Sequence, residues 1–256
     1  MSDLLSNQIL APDDGPVAEV VNPGGRASIC LVCEHASPAI PPSLGSLGLA
    51  DADRLSHAVW DPGAGDLARL LSRMLDAPLV MARVSRLVYD CNRPPDRTDA
   101  MPSRTETIEV PGNRDLTTED RAARVREVYD AFHVTLGETL EGFAAPPVLI
   151  TIHSFTPVWM GKPRATQIGL LHDADDRLAR GMLHAANTEL KVEMNEPYSA
   201  ADGVTHLLAR HGTARGLGSV MIEVRNDLLQ DAAAIEKIAG TLHPMIMTAL
   251  GGLAAA

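Results

Sequence analysis

The chain has 256 residues, 45% of them apolar and 21% charged, a composition typical of one folded domain with a substantial core. Its formal net charge of −11 disfavours a nucleic-acid partner, because the chain as a whole repels phosphate groups. No apolar run is long enough to span a bilayer, and no basic segment precedes an apolar one near the N-terminus. We therefore expect a cytoplasmic protein with no membrane partner, and the sequence leaves its oligomeric state open.

The three cysteines do not suggest a disulfide framework, since their number is odd and the chain is long. Cys30 and Cys33 form a C-x-x-C pair, but both lie in an apolar run typical of a buried strand. Residues three apart on a strand point to opposite faces, so the two thiols cannot easily share a metal ion. We expect them to pack as small core residues.

The chain divides into two parts by pattern. Residues 1–26 are rich in Pro, Gly, Asp and Asn and predict an irregular leader, whereas residues 27–256 predict a single α/β domain. Strands are predicted over 27–33, 77–84, 87–89, 148–152, 167–171, 191–194 and 219–224, and helices over 63–75, from Thr117, over 176–190 and from Asp231. This alternation favours a three-layer domain with a mostly parallel or mixed sheet flanked by helices. The stretch 93–113 predicts a long surface loop that covers part of the molecule.

Polar side chains collect at the predicted carboxyl ends of the strands, where open α/β sheets bind their ligands. They are Glu34 and His35; Asp90, Asn92 and Arg93; His153 and Ser154; and Glu223 and Arg225. Histidines, carboxylates and arginines at one sheet edge indicate a metal-assisted hydrolytic site. Zn²⁺ suits imidazole and carboxylate ligands best, although another divalent metal is open.

Several of these residues have two interpretations. Asp61 precedes a predicted helix, so it is either the N-cap of that helix or a third metal ligand. Glu223 lies within an apolar strand, so it is either neutralised by Arg225 two residues on, or it is a base that takes a proton from water. Arg86 and Arg93 flank the short strand 87–89, and their guanidinium groups suit a substrate carboxylate.

Five blocks of sequence, in order from residue 33 to residue 228, resemble the N-formylglutamate amidohydrolase family. The blocks are Cys33-Glu-His-Ala-Ser37 followed by Ile40-Pro41, Trp60-Asp-Pro-Gly-Ala64, Ser85-Arg-Leu-Val-Tyr-Asp-Cys-Asn-Arg-Pro94, His153-Ser-Phe-Thr-Pro157 and Ile222-Glu-Val-Arg-Asn-Asp-Leu228. The third and fourth blocks are the most specific. The family is more distantly similar to the zinc carboxypeptidases, which implies a zinc-carboxypeptidase-like, phosphorylase/hydrolase-like fold.

The resemblance implies roles for residues of these blocks. His35 and His153 become metal ligands, Glu223 the catalytic base, and Asn92 with Arg93 the site for a substrate carboxylate. Carboxypeptidases take two ligands from a His-x-x-Glu segment, but here Pro38 stands where the glutamate would be.

Other positions complete the expected site. Asp61 is the expected third ligand, and Glu34 is the alternative. The histidine-degrading branch of the family has a proline at the position of Glu34. Because of this difference, the resemblance indicates the type of reaction better than it indicates the substrate. Arg86 is expected to bind a second carboxylate or to stabilise the oxyanion. The remaining substrate-binding candidates are Ser154, Arg164 in the loop 156–164 that closes over the substrate, Arg225 and His211.

Together these features predict hydrolysis of the amide bond of a small anionic N-acyl amino acid, with N-formyl-L-glutamate as the leading substrate. Two alternatives stay open. One is the same chemistry on another N-acyl amino acid or a small peptide, since one methylene group discriminates weakly. The other is a non-catalytic protein that binds an anionic metabolite.

Overall fold

Seven strands form a mixed sheet at the centre of the computed structural model, which describes residues 8–105 and 108–254. Two further pairs of short strands form hairpins outside this sheet. In chain order the strands are β1 (Ala18–Val21), β2 (Ile29–Cys33), β3 (Leu79–Ala82), β4 (Arg104–Thr105), β5 (Ile108–Glu109), β6 (Val148–Phe155), β7 (Val158–Trp159), β8 (Lys162–Pro163), β9 (Ile168–Leu171), β10 (Val192–Met194) and β11 (Ser219–Arg225). The predicted alternation of strands and helices is confirmed.

The main sheet has the strand order β1-β3-β2-β6-β11-β9-β10. Its centre is parallel, because β3, β2, β6 and β11 run in one direction. Strands β1 and β9 pair antiparallel to their neighbours β3 and β11, and β10 runs parallel to β9. The carboxyl ends of β2, β6 and β11 therefore lie side by side at one edge of the sheet, as ligand-binding α/β sheets require.

Helices cover both faces of the sheet and make the three layers that the sequence predicts. The helices are α1 (Ala64–Leu75), α2 (Thr118–Arg124), α3 (Ala131–Glu141), α4 (Arg177–His184) and α5 (Ala232–Ala254), with a π-helical segment Val125–Asp130 joining α2 to α3. Side chains of α1, α4 and α5 pack in the core on one face, and those of α3 pack in the core on the other. Thr117 is the N-cap of α2, since its hydroxyl accepts a hydrogen bond from the Asp120 N–H. No helix in the described ranges is both long and apolar enough to cross a membrane.

Several predicted elements differ from the structure. Helix α4 ends at His184 rather than at residue 190, and the predicted loop 93–113 contains the short strands β4 and β5. Residues 18–21, expected to be irregular, form the edge strand β1, while residues 1–7 of the predicted leader lie outside the described ranges. Residues 87–89 form a turn rather than a strand. Val88 N–H donates to the Ser85 carbonyl, and the Leu87 carbonyl accepts from the Asn113 side chain. The apolar run there reflects burial of the side chains and not an extended backbone.

The two cysteines of the C-x-x-C pair lie on opposite faces of β2, as predicted. Cys30 packs in the core beside α3, and Cys33 packs in the core beside α1. Both thiols are free and fully buried. They are core residues.

Candidate active site

Three buried side chains converge at the carboxyl edge of the sheet. His35 follows β2, His153 lies in β6, and Asp61 precedes α1. Asp61 Oδ2 lies 3.0 Å from His153 Nδ1 and 3.4 Å from His35 Nδ1. One nitrogen or oxygen from each residue lies within 4.8 Å of the other two, so the three atoms could hold one metal ion.

A second carboxylate faces the far nitrogen of each histidine. His35 Nε2 donates a hydrogen bond of 2.8 Å to Asp90 Oδ1, and His153 Nε2 lies 3.0 Å from Glu34 Oε1. Such carboxylates orient a metal-binding imidazole and favour the lone pair on its other nitrogen. Glu34 is therefore placed behind a ligand, and the cluster is completed by Asp61 instead of the alternative Glu34.

The backbone around Asp61 explains how its carboxylate reaches the histidines. Asp61 N–H donates to the His35 carbonyl, and the residue two further on, Gly63, adopts a φ of +80°. A Cβ on Gly63 would lie 2.4 Å from Leu229 Cβ, so only glycine fits this turn. Gly63 is also the N-cap residue of α1, and no side chain caps that helix. The N-cap interpretation of Asp61 is therefore wrong, and its carboxylate is free for the cluster.

Arg86 links two of these carboxylates. Its two terminal nitrogens donate to Asp61 Oδ1 and Asp90 Oδ2, each at 3.1 Å. Burial alone would lower the pKa of Arg86, but Asp90 and Asp61 raise it above its ordinary value. Because Arg86 engages Oδ1 of Asp61, the other oxygen faces the two histidines, and it also accepts a hydrogen bond from the Ser154 N–H.

Glu223 lies on β11 directly beside His153 on β6. Its side chain is almost completely buried, and its Oε2 atom has no hydrogen-bond partner. Burial raises the pKa of Glu223 to about 7, an effect to which Asp61 adds and which His153 opposes. A carboxyl group that exchanges its proton near neutral pH is suited to general acid–base chemistry.

The charges of the cluster fit a divalent cation. Four buried carboxyl groups, those of Glu34, Asp61, Asp90 and Glu223, lie at the cluster, and Arg86 pairs with two of them. In the metal-free protein these carboxylates raise the pKa of His35 and His153, so protonated imidazoles supply further positive charge. A divalent cation would replace those protons, because buried carboxylates need a compensating positive charge. His35 Nδ1 is buried without a hydrogen bond, so this imidazole nitrogen is available to coordinate a metal ion. Two imidazoles and one carboxylate are a ligand set that zinc accepts while keeping a position for water.

A cavity of about 880 Å³ opens above this cluster. His35, Asp61, His153 and Glu223 line its floor, and part of the predicted loop 93–113 forms a wall. Arg164, which follows the β7–β8 hairpin, also lines the cavity. A cavity with a few converging polar groups is the usual form of a small-molecule site.

Arg164 is held by aromatic rings rather than by a carboxylate. Its guanidinium carbon lies 4.8 to 5.5 Å from the ring centroids of Tyr198, Trp159 and Phe155. It donates hydrogen bonds to the Tyr198 hydroxyl and the Thr156 carbonyl. No carboxylate of the described residues forms an ion pair with it, so its charge is available to an anionic ligand.

Comparison with known proteins also supports a hydrolytic site. The family model for N-formylglutamate amidohydrolase matches residues 27–230. The chain belongs to this family. It is similar in structure to the gene product Atu2144 from Agrobacterium tumefaciens, with a TM-score of 0.94 and 45% identity over 96% of this chain and 99% of that one.

More distant likenesses concern the fold. An N-formylglutamate amidohydrolase from Ralstonia eutropha has a TM-score of 0.68 at 18% identity, covering 94% of this chain and all of that one. A metallo-carboxypeptidase from Burkholderia cenocepacia has a TM-score of 0.41 at 11% identity, covering 93% of this chain and 66% of that one. No curated protein matches the sequence. The N-formylglutamate amidohydrolase family and the site geometry together identify an amide-cleaving hydrolase.

Three residues expected to bind substrate in this amidohydrolase have structural partners. Asn92 donates to the Val204 carbonyl and accepts from the Leu207 N–H, and Arg93 pairs with Asp99. Both still line the cavity. Ser154, which also lines it, donates through its hydroxyl to the Pro62 carbonyl and so supports the turn that carries Asp61.

Two other residues expected to contact the substrate lie outside the cavity lining. Arg225 does not line the cavity, and it pairs with Asp227 rather than neutralising Glu223. His211 also does not line the cavity, and its Nε2 lies 2.8 Å from His133 Nδ1 in a buried pair. The spacing of Arg225 put it on the same strand face as Glu223, but its long side chain turns toward the loop beyond the strand.

Sequence reasoning missed His57, which lies in a turn and follows no strand. His57 lines the cavity, and its Nδ1 is 3.5 Å from Asp61 Oδ1. Burial lowers the pKa of His57 to about 4, so the imidazole is neutral. Its spacing of four residues from Asp61 is the one signal in the sequence that pairs them.

Proposed function

We propose that this amidohydrolase is metal-dependent and cleaves the amide bond of an N-acyl amino acid, with N-formyl-L-glutamate as substrate. The observation that carries the proposal is the buried cluster of His35, Asp61 and His153 directly beside Glu223. A ligand set and a base in contact at a cavity floor are the two elements that metal-assisted hydrolysis needs.

His35 Nδ1, Asp61 Oδ2 and His153 Nδ1 would hold the metal ion, and zinc fits this set best. A bound zinc ion supplies Lewis acidity, which polarises the amide carbonyl and makes water a stronger nucleophile at neutral pH. Asp90 orients the His35 imidazole through a hydrogen bond, and Glu34 lies 3.0 Å from His153 Nε2, where its negative charge favours a proton on that nitrogen.

Glu223 is the proton carrier of the proposed reaction. It takes a proton from the attacking water and returns it to the leaving nitrogen, which releases formate and the free amino group. Its burial supports this role, because removal from water favours the protonated form and makes the carboxylate a better proton acceptor than an exposed one.

Arginines would bind the negative charges of the substrate. Arg164 has no carboxylate partner among the described residues and is the best-placed anchor for a substrate carboxylate. Arg86 lies beside the cluster, where its positive charge would stabilise the oxygen that becomes negative during attack on the carbonyl. Arg93 lies farther along the cavity wall and could take a second carboxylate only by leaving Asp99.

A panel of amides tests the substrate. The zinc-loaded protein is offered N-formyl-L-glutamate, N-formyl-L-aspartate, N-formyl-L-glutamine and N-acetyl-L-glutamate. We expect the highest kcat/KM for N-formyl-L-glutamate, with a loss of roughly 10- to 200-fold for the aspartate compound that lacks one methylene. Equal or better hydrolysis of the glutamine compound, a monoanion with an uncharged side chain, would contradict the proposed dianionic substrate. Preference for the acetyl compound would contradict the formyl group.

A further inference from the structure

His57 is held rigidly at the wall of the cavity. The turn that carries it is fixed on both sides: the Val59 carbonyl accepts a hydrogen bond from the buried Ser85 hydroxyl, and the Trp60 indole donates to the Leu55 carbonyl. The side chain of His57 is 13% exposed. A side chain with so little freedom, facing a cavity, is suited to contact a ligand without a large loss of entropy.

The two nitrogens of His57 have different surroundings. Nδ1 is shielded from solvent and lies 3.5 Å from Asp61 Oδ1, without the alignment of a hydrogen bond. A negative oxygen at this distance favours the ring proton on Nδ1, which leaves the lone pair on Nε2. No hydrogen bond within the described part of the chain engages Nε2, and with Nδ1 buried, the Nε2 edge is the one left to face the cavity.

His57 lies beside the candidate metal cluster, with Nδ1 3.5 Å from Asp61 Oδ1, and it lines the same cavity as Arg164. In an N-acyl amino acid whose carbonyl is at the cluster and whose carboxylate is at Arg164, the amide nitrogen lies between the two. The amide N–H is the one backbone hydrogen-bond donor of such a substrate, and burying it without an acceptor would be unfavourable.

We propose that His57 is a substrate-contacting residue whose Nε2 accepts a hydrogen bond from the amide N–H of the N-acyl amino acid. The inference rests on the proposed function and adds a source of substrate selectivity. A site with this contact favours secondary amides, which have an N–H, over esters, which do not.

A thermodynamic cycle that combines a change at His57 with a change in the substrate tests this contact. The amide substrate, N-formyl-L-glutamate, is compared with the formate ester of 2-hydroxyglutarate, in which oxygen replaces the N–H. Both are offered to the zinc-loaded wild type, to His57→Leu, which has no acceptor, and to His57→Gln, which keeps one. The greater intrinsic reactivity of the ester cancels, because each variant is compared with the wild type on the same compound.

We expect His57→Leu to lose roughly tenfold or more in kcat/KM on the amide and less than threefold on the ester. His57→Gln should recover part of the loss on the amide. Zinc content per chain, measured by elemental analysis, should equal that of the wild type in both variants, since His57 is not one of the three proposed ligands. Equal losses on amide and ester, or equal behaviour of the Leu and Gln variants, would overturn the contact while leaving the proposed function intact. Failure of the wild type to hydrolyse the amide would overturn both.

Discussion

Glu223 and His153 are paired neighbours on the adjacent parallel strands β11 and β6. This pairing fixes a carboxyl group next to a residue of the candidate metal cluster without relying on a mobile loop. Sites built on rigid strands hold their groups to the accuracy that proton transfer requires. The relationship accounts for why one buried, otherwise costly carboxyl group lies in the centre of the sheet.

Replacing Glu223 with Gln removes the proton carrier and preserves the size of the side chain. We expect kcat for formate release to fall by roughly 10²- to 10⁴-fold, the range that general acid–base catalysis contributes. Zinc content should stay at the wild-type value, because Glu223 is not one of the three converging ligands. A variant that keeps wild-type turnover would remove Glu223 from the mechanism.

Glu34→Gln tests the support of His153 from behind. Its carboxylate lies 3.0 Å from His153 Nε2, and loss of such a carboxylate typically weakens metal binding by about 10- to 100-fold. Zinc affinity is measured by competition with a chromophoric chelator. The matched control is Asp66→Asn, at an exposed position on α1, which should leave the affinity unchanged. Equal affinities for Glu34→Gln and the control would show that Glu34 does not act on the metal site.

Arg164→Met tests the anchor for the substrate carboxylate. The charge is lost but much of the apolar stem is kept, so we expect KM for N-formyl-L-glutamate to rise by roughly 10- to 100-fold with a smaller change in kcat. Arg177→Met is the control, since Arg177 is exposed and pairs with Asp175 far from the cavity-lining set. An unchanged KM in Arg164→Met would assign the carboxylate to another cation of the cavity.

The candidate site was predictable from sequence where its residues lie at or near the carboxyl ends of strands. His35, His153 and Glu223 come from three adjacent parallel strands, so apolar runs and the polar residues near their ends suffice to bring the three together. The residues alone left Asp61 between a helix N-cap and a ligand, and only the family resemblance favoured the ligand. The structure places Asp61 in the cluster and Gly63 at the N-cap position.

Other features depend on contacts that no local pattern encodes. His57 lies near the cluster because its turn is held by a hydrogen bond from Ser85 to the Val59 carbonyl, a contact between residues 26 positions apart. Residues 87–89 look like a strand because they are apolar, yet their backbone groups bond within a turn. Strand β1 is short and gains its stability from pairing with β3, so its composition alone did not reveal it.

The buried pair of His133 and His211 should make stability depend on pH. Burial lowers the pKa of His133 to about 2 and that of His211 to about 4, so both stay neutral in the folded protein. The unfolded chain takes up protons at these histidines as the pH falls below about 6.5, and the folded state does not. The pair therefore lowers the free energy of unfolding as the pH decreases toward 4.

His211→Gln isolates this effect. Carboxylates raise the pKa of His35 and His153 in the metal-free protein, so these two residues increase the free energy of unfolding as the pH falls. The pH dependence of the wild type is therefore the sum of two opposing effects, which only a comparison with the variant separates. Between pH 7.5 and 5.5 we expect the variant to lose about 1 kcal/mol less unfolding free energy than the wild type. Urea denaturation at the two pH values measures the difference. Identical losses in the two proteins would mean that His211 is not held neutral by the fold.

The most direct test of the account is formate release from N-formyl-L-glutamate by the chelator-stripped protein, before and after addition of one equivalent of Zn²⁺. We expect no measurable release from the stripped protein and full turnover on restoring zinc, because in the proposed site His35, Asp61 and His153 would hold the ion beside Glu223. Undiminished release by protein shown to be free of metal would contradict metal dependence. No release under either condition, from protein whose fold and zinc content are intact, would contradict the proposed substrate.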